Sequence, residues 1–180
     1  MVLDKSSVAT PSLAMTGSKS FSVPSGGDKR RRKEEFTMRE LIGVDLFIFS
    51  TIAITTNGTV QSDGQAVMGR GCALTAKQLY PGLPTKLGRY IREYGNLPFN
   101  LGHWGPHHIF SFPTKHNWWE EADPQLIIAS AKLLMQRLDK FGIAEIAIPR
   151  PGCGFGKLTW TNIRPILLPI LDDRCIIVHK

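Results

Sequence analysis

The chain has 180 residues, 42% of them hydrophobic and 21% charged, ordinary values for one soluble globular domain with a real core. Its formal net charge of +7 suits an anionic ligand or partner without choosing among nucleotide, nucleic acid and membrane surface, and a basic tail on a soluble domain gives the same balance. The three cysteines, Cys72, Cys153 and Cys175, include no CxxC pair, which argues against a disulfide framework and a structural zinc site.

No apolar run approaches the roughly 20 residues needed to span a bilayer, and no basic-then-apolar signal pattern opens the chain, so a cytoplasmic protein without membrane contact is expected. Residues 1–38 are rich in Ser, Thr, Gly and Pro and read as a disordered basic tail, because such a segment cannot bury enough apolar surface to offset its ordering entropy. The run Lys29, Arg30, Arg31, Arg32, Lys33 reads as a nuclear-import signal, a nucleic-acid arm or a solvated charge run partly neutralised by flanking acids. A vector-derived leader is a further reading of this tail.

The folded part is expected over 41–180. Val44–Phe49 reads as a buried strand and Thr51–Thr56 as a β-branched one, ended by Asn57-Gly58. A glycine-rich loop follows over Gly64–Gly71. Helices are expected over Cys72–Tyr80 and Pro84–Tyr94, the second with Leu87, Tyr90, Ile91 and Tyr94 at helical spacing. Leu97–His107 reads as loop, Ile109–Phe112 as strand and Pro113–Glu121 as a polar and aromatic loop. Asp123-Pro124 opens a long helix to about Phe141, closed by Gly142. Ile143–Ile148 is a strand that feeds a second glycine loop, Gly152–Gly156. Thr161–Leu171 is a short helix and Arg174–His179 a last strand. This alternation predicts an α/β fold with a largely parallel sheet, with ligands held beyond the carboxyl ends of the strands.

Three loops converge at that edge. Glycine lets backbone approach a ligand closely, and free N–H groups near a helix start meet negative charge, so two glycine loops can clamp a diphosphate; as isolated features they are tight turns. GxGxxG is absent, since Gly152, Gly154 and Gly156 form GxGxG, and no Walker spacing occurs, which argues against a conventional dinucleotide oxidoreductase or P-loop kinase. Asn57 suits a ribose hydroxyl or a plain turn. Asp45 suits an adenine amino group or a solvated strand end. Lys115 suits a phosphate or a group leaving a sugar, or is a surface lysine. His116 is an acid–base candidate or an exposed loop residue. Trp118 and Trp119 could stack a base, wall a site or fill the core. Cys153 reads as a small packed residue rather than a nucleophile, for want of an activating histidine.

Taken in order, ITTNGTV, AVMGRGCALTAK, FSFPTKHNW and IPRPGCGFGKLTW resemble a macrodomain, the ADP-ribose-binding fold. The resemblance covers roughly Val44 to His179. It is nearest the bacterial and phage branch, which includes ADP-ribose 1″-phosphate-processing proteins and DNA ADP-ribosyl glycohydrolases. It implies a three-layer α/β/α fold around a mixed, largely parallel sheet, and ADP-ribose or an ADP-ribosylated nucleic acid or protein as ligand, with no cofactor and no metal. Carried over by position, Asp45 reads adenine and Asn57 faces the distal ribose. Met68, Gly69 and Gly71 belong to the first cradling loop, and Gly152, Cys153, Gly154, Phe155 and Gly156 to the diphosphate loop. Lys115 takes the place of the lysine near the scissile sugar carbon, so Lys115 and Asn57 are the catalytic candidates. The pattern departs in three places: Gly156 stands where some relatives carry a catalytic aspartate, Val44 replaces the glycine of a GDL start, and His116, Asn117 and Trp118 follow the lysine in an altered order. The resemblance implies a hydrolase, either a glycohydrolase or an ADP-ribose 1″-phosphate phosphatase. A non-catalytic ADP-ribose reader and a nucleic-acid-binding protein acting through its tail are the competing readings.

Overall fold

The structure, a computed structural model, describes residues 38–180. The Lys29–Lys33 run and the expected disorder of the tail lie outside the described residues. Six strands form one sheet: β1 (Arg39–Ile42), β2 (Thr51–Asn57), β3 (Asn100–Trp104), β4 (His107–Lys115), β5 (Ile146–Pro149) and β6 (Cys175–His179). Their order is β1-β6-β5-β2-β4-β3, and every pair is parallel except β3–β4. The four helices are α1 (Gly71–Leu79), α2 (Leu83–Tyr94), α3 (Pro124–Phe141) and α4 (Trp160–Leu167).

Strand side chains alternate between two cores, as a period of two requires. Ala53, Phe110, Phe112, Ile146, Ile148 and Ile177 pack with Ile127, Leu134 and Leu138 of α3 and Ile163 of α4. Ile52, Ile54, Ile109, Ala147 and Ile176 pack with Ala73 and Ala76 of α1 and Leu83, Leu87 and Ile91 of α2. Both sheet faces are thus covered, which gives the expected three layers and explains why the inner strands read as continuous apolar runs. Each fully buried Ile, Leu or Phe contributes roughly 1.5–3 kcal/mol.

Several expected boundaries differ. Val44–Phe49 is not a strand: Asp45 Oδ1 accepts from Phe47 N–H at 2.9 Å and starts a single 3-10 turn over Leu46–Ile48. A short apolar run carries no period that separates the two forms. The first strand lies earlier, at Arg39, with Met38 buried beneath it. β3 falls inside the expected loop 97–107, where its Gly, His and Trp residues mask an antiparallel edge strand. β4 runs on through Pro113 to Lys115, because β3 pairs only with His107–Phe110 and the proline is spared a ladder bond on that side. β5 starts at Ile146 rather than Ile143, because Gly142 (φ +62) and the Ile143 N–H, 2.9 Å from Leu138 O, close α3.

Candidate functional site

The strand order reverses between β5 and β2, and a cavity of about 620 Å³ opens at the carboxyl ends of β2, β4 and β5. Asn57, Gly69, Gly71, Lys115, Gly152, Cys153, Phe155 and Gly156 line it. A second hollow of about 350 Å³ holds Asp45 and shares Gly71, Cys72 and Pro149 with the first. Besides Asp45, two expected residues, Met68 and Gly154, fall outside the main cavity. Met68 is 2% exposed and packs in the core with Ile54 and Ala73, because alternate residues of the loop point in opposite directions. Gly154 (φ +91) turns the second loop on its exposed side.

The first wall is the loop after β2 and the start of α1. Asn57 pins it: Nδ2 donates to Val67 O at 2.9 Å, and Oδ1 accepts from Thr59 N–H at 3.0 Å. One amide hydrogen and one lone pair remain for a ligand. Gly71 opens α1 at φ +57, a left-handed value natural to glycine, and Arg70 supplies no side-chain cap. The N–H groups of the first turn are therefore left to solvent or an anion.

The second wall is the loop after β5. A Cβ on Gly156 would lie 2.2 Å from Gly152 O and 2.8 Å from Ala122 Cβ, and one on Gly152 (φ +73) would meet Ile127 Cδ1 at 2.8 Å. The loop closes on itself through Leu158 N–H to Gly152 O at 3.1 Å and is tied to the start of α3 through Ala122 N–H to Gly156 O at 3.0 Å. Among the described residues, the N–H groups of Gly154, Phe155 and Gly156 have no acceptor. Position 156 therefore has no room for a side chain in this packing.

Lys115 ends β4 opposite Asn57, and its Nζ donates to Phe155 O at 2.8 Å, joining the end of β4 to the second loop. Burial, then the charges of Arg70 and Lys157, hold its ammonium below the ordinary lysine value; Glu121 pulls weakly the other way. Arg70 lies over the Phe155 ring at 5.1 Å, so the two walls touch across the mouth.

The remaining candidates take defined places. Asp45 Oδ2 accepts from Lys180 Nζ at 2.9 Å, and the Phe47 N–H, then Lys180, hold its carboxyl below the usual range. His116 Nε2 is 2.9 Å from Asp123 Oδ2, the carboxylate that caps α3, and so serves the loop. Burial pushes the Cys153 thiol up, partly opposed by Arg150, which suits a packed residue and not a thiolate. Trp118 lines the cavity and Trp119 stands outside it; both are exposed rather than core. Sequence reasoning missed Arg70 and Arg150 as lining residues, although a basic residue among loop glycines (MGRG, PRPG) was a usable signal. Arg150 is held by Glu40 at 3.4 Å and stacks on Trp160 at 5.3 Å. Glu40 also accepts from Arg164 Nε at 2.6 Å and Trp160 Nε1 at 2.8 Å. Among the described residues no group of three or more His, Cys, Asp or Glu could hold a metal ion, and no helix is long and apolar enough to cross a membrane.

No family model matches the chain. The curated DNA ADP-ribosyl glycohydrolase of Mycobacterium tuberculosis is 31% identical over 114 residues, 57% of this chain and 31% of the relative. That of Thermus aquaticus is 28% identical over 118 residues, 59% of this chain and 31% of the relative. The chain therefore spans about a third of the length of the curated relatives it matches. Among solved structures, the macrodomain of Mycobacterium tuberculosis DarG is similar with a TM-score of 0.63 and 28% identity over 79% of this chain and 98% of that one. Thermosipho africanus DarTG in complex with ADP-ribose gives 0.63 and 22% over 80% of this chain and 42% of that one, a likeness of fold. The sheet between two helical layers, the crevice at its switch point and these similarities agree: residues 38–180 have the fold of a macrodomain and are similar to the macrodomain of Mycobacterium tuberculosis DarG.

Proposed function

We propose that the chain binds ADP-ribose in the main cavity and hydrolyses the bond between its distal ribose and a DNA base. The observation that carries the reading is the meeting of Lys115, Asn57 and the two glycine loops in one cavity. The α1 N-terminus and the unclaimed N–H groups of the second loop suit the diphosphate. The hollow at Asp45 suits the adenosine end, leaving the distal ribose beside Asn57 and Lys115. DNA is favoured over protein because the curated relatives are named DNA ADP-ribosyl glycohydrolases.

The chemistry needs a group that eases departure of the base. As the glycosidic C–N bond breaks, its electron pair moves to the base nitrogen, which takes a proton from the Lys115 ammonium. Water adds to the anomeric carbon, and its proton restores the ammonium. A lysine held below its ordinary value gives up that proton more readily. Asn57, with its amide fixed by Val67 and Thr59, orients the ribose hydroxyls.

The test is product analysis on an ADP-ribosylated oligonucleotide over long incubation. The native chain releases free ADP-ribose and intact DNA, whereas Lys115→Ala does not. Binding without any product would make the protein a reader. The curated relatives extend well beyond the part matched by this chain. A nucleic-acid role for Lys29–Lys33 predicts that removing 1–38 weakens DNA binding and steepens no other property.

A further inference from the structure

We propose that Trp118 and Trp119 form a stacking platform for the nucleotide beside the modified one in a single-stranded nucleic-acid substrate. Tryptophan normally buries its large apolar area. Here two consecutive indoles are 52% and 63% exposed and meet edge-to-face at 5.7 Å and 90°. Their loop is not loose. The Trp118 N–H donates to Thr59 Oγ1 at 3.2 Å, and Asn117 donates to both carboxylate oxygens of Glu120, from N at 3.0 Å and from Nδ2 at 2.8 Å. His116 fixes its base through Asp123. The indoles are thus held outward by a built loop, at little further ordering cost on binding.

Their place says what they would meet. Trp118 lines the same cavity as Lys115, and Trp119, outside that lining, packs edge-to-face against Trp118. With the distal ribose beside Lys115 as proposed, a group attached to it meets the side of the cavity that Trp118 lines. Arg70 and Lys115 make this part of the cavity basic, which suits a phosphate chain. The neighbouring acids are occupied, Glu120 by Asn117 and Glu121 by Lys157 at 3.1 Å. What remains free at the loop is aromatic face, and aromatic face selects bases. In a duplex those base faces are already stacked, so the platform favours a single strand.

The inference rests on the proposed reaction for its substrate, and the test separates the two. With the full chain, turnover is measured on an ADP-ribosylated mononucleoside and on an ADP-ribosylated single-stranded oligonucleotide, for native protein, Trp119→Ala and Trp119→Phe. Trp119→Ala is expected to lower kcat/KM about tenfold on the oligonucleotide only, with Trp119→Phe restoring most of it. ADP-ribose affinity stays unchanged. Equal losses on both substrates, or none on the oligonucleotide, would overturn the platform. Anisotropy of a labelled, unmodified single strand supplies the second arm: its affinity falls about tenfold in Trp119→Ala, while a duplex of the same sequence shows no such difference. The tail is common to both proteins and cancels. ADP-ribose binding with no Trp119-dependent strand binding sinks the platform alone. Trp119-dependent strand binding without ADP-ribose binding sinks the proposed function alone.

Discussion

The two ends of the cavity are made of different material. The end assigned to the diphosphate is backbone, with N–H groups of the α1 start and of residues 154–156 and glycines packed so tightly that position 156 admits no Cβ. The end assigned to the scissile bond is side chain, Lys115 and Asn57 on adjacent strands. Binding geometry of the first kind is a property of the fold, and at Gly152 and Gly156 it leaves no space for a Cβ. The proposed reactivity of the second kind hangs on one or two side chains; Asn57 also pins the first loop, whereas Lys115 touches the second through a single bond to Phe155 O.

Substitutions at each end sharpen that contrast. The largest expected effect is at Lys115. Lys115→Ala should lower turnover by about 10²–10⁴-fold, the usual range for a lost general acid, and leave ADP-ribose affinity within a few-fold. An equal loss of affinity would dissolve the distinction. In native protein, activity should fall on the alkaline side at a pH below the ordinary lysine value of 10.5, because the folded enzyme loses the needed proton earlier. A pH profile of kcat/KM, which reports the free enzyme, checks this. Gly156→Ala should do the reverse, lowering ADP-ribose affinity at least tenfold through a clash with Gly152 O, which overpacking of about 1–3 kcal/mol supports. Calorimetry reads it.

A smaller effect concerns the support beneath the site. Glu40→Gln removes the charged acceptor of Arg164, Trp160 and Arg150 and should cost about 1.5–3 kcal/mol in denaturant unfolding. Burial alone would raise the Glu40 carboxyl, but hydrogen bonds from Arg164 and Trp160 and the charges of Arg164 and Arg150 hold it below its ordinary 4.5. Its stabilisation is therefore complete above that value and lost as pH falls through the folded one, so the variant and native curves should converge in acid. The smallest effect is at the mouth. Arg70→Ala removes the contact to Phe155 and one positive charge, and should weaken ADP-ribose binding only about threefold to tenfold, more at low salt than high.

Much of this was legible in the sequence because glycine, helix caps and strand ends are local signals. Asp123-Pro124 and Gly142 bound α3 where expected, and both glycine loops follow strands. What was not legible depended on partners distant in the chain. Asp45 made a 3-10 turn where an apolar run suggested a strand. β3 is a strand only because β4 offers it an edge. Met68 was assigned to the ligand by its place between cavity residues, yet its side chain faces Ile54 and Ala73. The partner that holds Arg150, Glu40, lies 110 positions away, beyond any local signal.

The central claim is that this backbone-built end holds the diphosphate of ADP-ribose, and calorimetric titration of ADP-ribose, with AMP and NAD as controls, tests it most directly. The account predicts micromolar binding of ADP-ribose with AMP much weaker, since AMP lacks the second phosphate and the distal ribose. No heat of binding for ADP-ribose up to about 1 mM would contradict it and leave the two loops as structural turns.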